Sequence, residues 1–592
     1  MVVAACVHRG ERERREFCLN KTWPRSHFAV ALLCAVSGFG CQASEGTTKP
    51  QEAAGGAVSA AGSGSGGSGG VVVPQAAPPA YAPVRRLTHI EYDNTVKDLL
   101  GDTTGPAKGF TTDVAQDGFT NNAVALSVSP ALAEQYLAAA EKLSKSATSK
   151  LQALLGCDAA GAGEQACVQQ FIRDFGKRAW RRPLTTEEQG RLYGVFSKAR
   201  ADDNPLDVAV QMVLQVLLVA PQFTYLLEPA SQATGSVAPL DSWQVASRLS
   251  YFLLGSMPDA ALFAEAEKGA LLTAEQVGAQ ARRLLLLPLA RERIGLFFEE
   301  WMQLRNVDRM QKDPTLFPNY NPELGPLLQK QVQLFAMRVI LDEHGTPADL
   351  LTAPYAFMTP ELAPLYGVAP TAPNAYTLVN LDPTKRAGLL THAGILASLA
   401  KANQTDPVHR GKFVRERLLC QTVPPPPVNA NITPPEVTPG STTRDRFAQH
   451  RADPACGGCH TLMDPIGLGF EHYDALGQWR DQDQGLPIDA TGDVTSSDVS
   501  GAFDGAVELT QRLSQSQAVK DCLVQTWFRF AHGRSVTPAD EGNLAVLRAM
   551  FANNAYKISE LMVAVTQTQA FRYQLVPDKN VSQTPGSAMG AP

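Results

Sequence analysis

Apolar positions along this chain recur at helical spacing and seldom alternate. From Arg86 the run RLTHIEYDNTVKDLL brings Leu87, Ile90, Val96 and the Leu99/Leu100 pair near helical spacing and stops at Gly101, which predicts a short helix. Ser129-Pro130, an N-cap followed by a favoured first residue, opens an Ala/Leu-rich helix reaching about residue 155. Residues 171–180 are amphipathic and end before Pro183; Thr185 with Glu188 makes a capping box for the next helix. The nearly all-apolar run 208–220, closed by Pro221, reads as a buried core helix. Asp241 caps 243–254, Thr273 and Gln276 box a helix ending at Leu287-Pro288, and residues 291–304 carry Phe297, Phe298 and Trp301. Residues 324–344 form one more helix, stopped by Gly345. Strand signals are almost absent. The pattern predicts a mainly α protein, several small helical domains in series.

The last third has a different texture. Residues 386–400 and 410–420 read as helices, Pro424 to Pro427 as a stiff spacer, and 442–451 as a short helix leading to Cys456. A loop at Asp464-Pro465 follows, then 470–476, then an Asp/Gly-rich stretch to Gly505 suited to a small hairpin. Three closing helices reach Phe571. These breaks divide the chain into an export signal (1–41), a Gly/Ser/Ala/Pro linker (42–83), helical domains at 84–156, 157–235 and 236–380, a Cys456-bearing domain (381–484), a closing helical domain (485–576) and a disordered tail (577–592).

Cys456-Gly457-Gly458-Cys459-His460 is the chain's most informative stretch. Two thiols three positions apart reach the two vinyl groups on one porphyrin edge, and the adjoining imidazole then meets the iron. With cysteine and histidine each at 10 of 592 residues, a chance C-x-x-C-H has a probability of roughly 0.003. The motif predicts covalent haem c on Cys456, Cys459 and His460. Two other readings stay open. Zinc would use Cys456 and Cys459 plus two more ligands, for which His450, His460 and His472 compete, and a redox disulfide would join Cys456 to Cys459.

Length, charge and cysteine usage place this motif in a compartment. The net charge of -6 argues against nucleic acid as a partner. Residues 28–39 form an apolar segment of signal-peptide length after Lys21 and Arg25, ending at Gly40-Cys41. Export follows, with Cys41 as the lipid-bearing residue of a periplasmic or cell-surface lipoprotein. No run of 18 apolar residues occurs to span a membrane. Setting aside the signal, Cys41 and the C-x-x-C-H pair leaves four cysteines, which predicts Cys157–Cys167 and Cys420–Cys522 disulfides.

His409, Arg410 and Arg415 are candidate contacts for haem propionates. Arg178, Arg181 and Arg182 read first as structural ion pairs around Pro183, and Asp113, Asp117, Asn121 and Asn122 as loop hydrogen bonding, not a calcium site. Met463 is too near His460 to ligate from the opposite side of a macrocycle, since three residues extend at most about 11 Å. The sixth ligand is sought among His532, Met550, Met562, His392 and His409, or the position is vacant.

The order of signatures resembles a family of exported multi-domain proteins of planctomycetes and myxobacteria, built from domains of unknown function beside a c-type cytochrome motif and named after domain fifteen-ninety-two. The stretches are RLTHIEYDNTVKDLLG from Arg86, DGFTNNAVALSVSPALAEQYLAAAE from Asp117, RAWRRPLTTEE from Arg178, VASRLSYFLLGSMPDAAL from Val245, RAGLLTHAGILA from Arg386, DPVHRGKFVRERLLC from Asp406 and CGGCHTLMDPIGLGFEHYDALGQWR from Cys456. Gly469 and His472 stand where that pattern more usually has Ala and Asn. The resemblance implies a secreted or surface cytochrome-bearing protein of unestablished reaction. Electron transfer to a redox partner protein is the first expectation. A haem peroxidase or oxygenase, and a scaffold with structural haem, are the alternatives, and catalytic residues are unassigned.

Overall fold

The computed structural model describes residues 77–159, 163–228, 236–318, 320–426, 433–452 and 456–576. Cys41, the signal, most of the linker and the tail lie outside them. Strand β1 (Arg85–Arg86) leads into helix α1 (His89–Leu100), whose N-terminus is closed by a Thr88/Glu91 capping box and whose end is the left-handed Gly101. Helix α2 (Pro130–Thr148) is capped by Ser129. The single helix expected to residue 155 is broken, with α3 (Leu151–Leu155) starting anew. Helices α4 (Glu164–Ala179), α5 (Thr186–Ala201, with the Thr185/Glu188 box) and α6 (Leu206–Val219) follow. Leu87, Tyr92, Val96, Phe171, Ile172 and the α6 residues Val210, Val213, Leu214 and Leu217 fuse these helices into one core.

Strand β2 (Tyr225–Leu226) pairs back with β1, and β3 (Ser236–Pro239) opens the next region. There α7 (Ser242–Leu253) begins at Asp241, α8 (Ala274–Leu285) at Thr273, and α9 (Pro288–Trp301) at its own proline. Helix α10 (Leu324–Met337) relaxes into a π-helical turn over Arg338–Asp342. A hairpin-like pair, β4 (Tyr355–Met358) and β5 (Thr377–Asn380), was not evident in the sequence. Residues 386–400 form only the short α11 (Ala393–Ser398) after a 3-10 turn. The helix expected over 410–420 starts earlier, as α12 (Pro407–Phe413), and again widens into a π turn.

Helix α13 (Thr443–Ala452) precedes α14 (Gly457–Leu468), which begins at Cys456. The loop expected at Asp464-Pro465 is instead the interior of α14, a correction whose cause is tertiary packing. Then come β6 (Gln482–Asp483), β7 (Leu486–Pro487) and the anticipated hairpin of β8 (Thr491–Val494) and β9 (Gly501–Asp504). Helices α15 (Gly505–Gln515), α16 (Gln517–His532), α17 (Glu541–Asn553) and α18 (Ile558–Gln567) close the chain. Strand β10 (Tyr573–Val576) runs antiparallel to β3, tying the end to residues 236–239.

The second core joins α7, α8 and α9 to α16 and α18. At its centre Phe297 stacks on Trp527 with ring centres 3.7 Å apart and planes 4° from parallel. The same core takes in Ile466 of α14 and, just after that helix, Phe470 and Tyr473, so the C-x-x-C-H segment rests on packing shared with distant helices.

Candidate functional site

Cys456 stands at the N-terminal boundary of α14; Cys459 and His460 lie in its first turns, where the His460 N–H donates to the Cys456 carbonyl at 3.1 Å. Both thiols are half-buried and unbonded, whereas Cys157–Cys167 and Cys420–Cys522 are disulfides, as expected. Residues three apart on a helix are neighbours, so the two cysteines share one side of this turn.

His460 Nδ1 lies 3.0 and 3.2 Å from the two carboxylate oxygens of Asp464, one helical turn on. Asp464 is 0% exposed and His460 19%. The hydrogen bond to Asp464 raises the imidazole above its ordinary range, outweighing the opposing effect of burial. In the neutral ring this bond keeps the proton on Nδ1, which makes Nε2 the lone-pair nitrogen that a metal takes. Two thiols and an oriented imidazole at one helix start fit covalent haem. Asp464 was missed in the sequence because Pro465 suggested a loop; its four-residue spacing from His460 was the available signal.

Glycines let α14 approach its neighbours at backbone distance. A Cβ on Gly467 would lie 1.7 Å from the Pro407 carbonyl oxygen, and one on Gly411 would lie 1.9 Å from that of Met463. On another side, a Cβ on Gly492 would meet the Pro465 carbonyl at 2.2 Å. These contacts brace both ends of the Asp464-Pro465 step, which explains why a proline sits within the helix. Met463 is buried where α12 crosses, three residues after His460.

The expected propionate arginines have other work. Arg410 is buried, and its guanidinium donates to the carbonyls of Phe470 (2.9 Å), Tyr473 (3.1 Å) and Asp474 (3.0 Å). Arg415 donates to the Leu462 and Thr495 carbonyls and to Gln421 Oε1. Both close loops over α14 where outward-facing donors were expected. His409 is half-exposed on α12, with Nδ1 2.7 Å from the buried Asp406 carboxylate. Burial pushes Asp406 up, but His409 and Lys401 hold it below the usual carboxylate range.

Of the other sixth-ligand candidates, His392 is enclosed beside Phe335, and His532 stacks on Phe528 with Nδ1 at the Phe528 carbonyl. Met562 is in the second core and Met550 packs against it. His409 is the candidate carried on a helix packed directly against α14. For the zinc reading, His472 stacks on Trp479 and bonds the Arg480 carbonyl. The His450 side chain lies outside the described residues, among which no cluster of three His, Cys, Asp or Glu groups converges as metal ligands.

Elsewhere, Arg178 bonds the Asp98 carbonyl, Arg181 the carbonyls of Gln222 and Tyr225, and Arg182 both oxygens of Glu188. Trp180, Arg182, Trp243 and Arg248 line an open surface cleft. No residue of 381–484 lines it, so this cleft is separate from the C-x-x-C-H segment. Asp113 pairs with Arg86, Asp117 with Ser535, and the Asn121 and Asn122 amides bond Phe530 and Ser535, all loop-fastening contacts.

Five family profiles match in tandem, each described as a protein of unknown function. They are DUF1587 over residues 85–149, DUF1595 over 167–228, DUF1592 over 240–368, DUF1588 over 386–483 and DUF1585 over 501–571. Cys456, Cys459, His460 and Asp464 fall within the fourth. No curated protein and no solved structure matches the chain.

Proposed function

Because the chain belongs to the multi-domain family assembled from these five domains, we propose that it is an exported monohaem c-type cytochrome passing single electrons to a periplasmic or cell-surface partner protein. The observation that carries the reading is the unbonded Cys456/Cys459 pair at a helix start with His460 held at Nδ1 by a buried carboxylate. Bound haem would supply one-electron exchange at its iron. Cys456 and Cys459 would hold the porphyrin edge as thioethers, and His460 would offer Nε2. Asp464 keeps the proton on Nδ1, and the glycine contacts to α12 fix the helix that carries all four. Two disulfides support an oxidising compartment. Lipid attachment at Cys41 is part of the proposal and rests on the signal-like sequence before it.

The test is expression with export in a host that matures c-type cytochromes. Haem should stay with the chain through acid-acetone extraction and denaturing electrophoresis, and Cys456→Ser/Cys459→Ser should lose it. Haem that leaves the wild type on denaturation, or that persists on the double variant, sinks the proposal. A low-spin six-coordinate spectrum supports electron transfer; a high-spin iron that binds cyanide or peroxide supports the peroxidase or oxygenase alternative.

A further inference from the structure

We propose that Asp464 is a positioning residue that loads negative charge onto His460 and thereby holds the iron at a low reduction potential, an inference resting on the haem reading above. Asp464 breaks three local rules at once. It sits inside a helix, away from the N-terminus that favours Asp; it precedes a proline that gives up a main-chain hydrogen bond; and its carboxylate is fully buried. Local rules broken together mark functional positions.

The charge has a definite recipient. Among the described residues, the imidazole of His460 is the hydrogen-bond partner of Asp464, through both oxygens. The nearby guanidinium of Arg415 is turned to Leu462, Gln421 and Thr495 instead. No cation therefore shares the carboxylate with the ring, and burial keeps salt and water from screening it. A carboxylate on Nδ1–H makes Nε2 a more basic ligand than a neutral carbonyl would, and a more basic ligand favours the ferric iron. An asparagine would preserve the shape and lose this effect.

The experiment compares wild type with Asp464→Asn and Asp464→Glu, each purified with covalently bound haem. In Asp464→Asn the ferrous-to-ferric ratio at fixed ambient potential should rise at least tenfold, a shift of about 59 mV for one electron. Full haem content with an unmoved or lowered potential overturns the inference while leaving the haem reading intact; a wild type without covalent haem overturns both. If the asparagine variant does not fold, infrared spectra decide. The wild-type reduced-minus-oxidised difference should contain a carboxylate band that carbon-13 aspartate labelling moves and that Asp464→Glu makes insensitive to that label. Absence of the band, or its survival as an aspartate band in the glutamate variant, overturns the inference.

Discussion

In the N-terminal core, α1 and α5 begin with capping boxes at Thr88/Glu91 and Thr185/Glu188, and α2 with the Ser129 cap and Pro130. Helix α14 has no side-chain cap, carries three glycines in twelve residues, and contains Pro465 in its interior. Those three helices of the first region are specified by local signals, with packing reinforcing them. The second is helical because α12, β8 and the neighbouring loops hold it at backbone distance. Local encoding tolerates change at one contact; a helix imposed from outside depends on each of its contacts.

Disulfides offer the largest test of that contrast. Cys420–Cys522 closes a separation of 102 residues between the α12 region and α16, while Cys157–Cys167 spans 10 within the first core. Loop-closure entropy predicts a cost of about 4.7 kcal/mol for opening the long loop and about 3 for the short one. Denaturant titration of Cys420→Ser/Cys522→Ser against Cys157→Ser/Cys167→Ser measures both. A larger loss from the short loop would reverse the expectation.

Gly467→Ala comes next. Its Cβ meets main chain at 1.7 Å, so neither a rotamer change nor a flexible side chain relieves the clash, and the loss should be about 3 kcal/mol or more. Gly411→Ala should behave alike. Because both act by separating α12 from α14, the double variant should cost less than the sum, which a thermodynamic cycle reveals. Full additivity would mean that the two contacts are independent.

The same contrast governs what was legible in sequence. Capping residues and apolar periodicity announced most helices of the first 340 residues, since those signals act within a turn or two. Cysteine counting found both disulfides, and C-x-x-C-H announced the candidate site. Asp464 escaped because its meaning depends on Pro465 being tolerated inside a helix, which depends in turn on Gly411, Gly467 and Gly492. The protein contacts of Arg410 and Arg415 were hidden for a related reason: a sequence shows a guanidinium but not the carbonyls of Phe470 or Thr495 that it meets. The short β1–β2 and β3–β10 pairings join residues too far apart for any local pattern.

Acid should weaken the two regions at different pH. Burial lowers His392 to about 4, so its contribution is complete above the ordinary value near 6.5 and is lost as pH falls toward 4, about 3 kcal/mol in all. Burial lowers His532 in the same direction, to about 3. In the N-terminal core, burial would raise Glu91, but Arg85 and Arg293 outweigh it and hold the carboxyl at about 2. Its stabilisation persists until pH falls below about 4.5. Glu299, raised to about 7 by burial and then by Glu300, gains stability on acidification, so local protection is a better readout than Tm. Hydrogen exchange corrected for intrinsic rates should show α11 losing protection between pH 7 and 4.5 while α1 keeps it. His392→Gln should flatten that loss; an α1 that opens first would contradict the assignment.

The smallest effect has the opposite sign. Gly190 lies on the exposed face of α5, its φ is not positive, and a Cβ there would find no atom within 4 Å. Alanine loses less backbone freedom on folding than glycine, so Gly190→Ala should stabilise by about 0.5 to 1 kcal/mol. The chemistry is identical to Gly467→Ala, a methyl group added within a helix. In α5 the methyl enters solvent beside a helix already specified by its own cap, whereas in α14 it enters the space through which that helix is held. Thermal unfolding of the two single variants should therefore move Tm in opposite directions. If Gly467→Ala also raised Tm, α14 would be as locally determined as α5, and tertiary contacts would not explain why Pro465 lies within a helix.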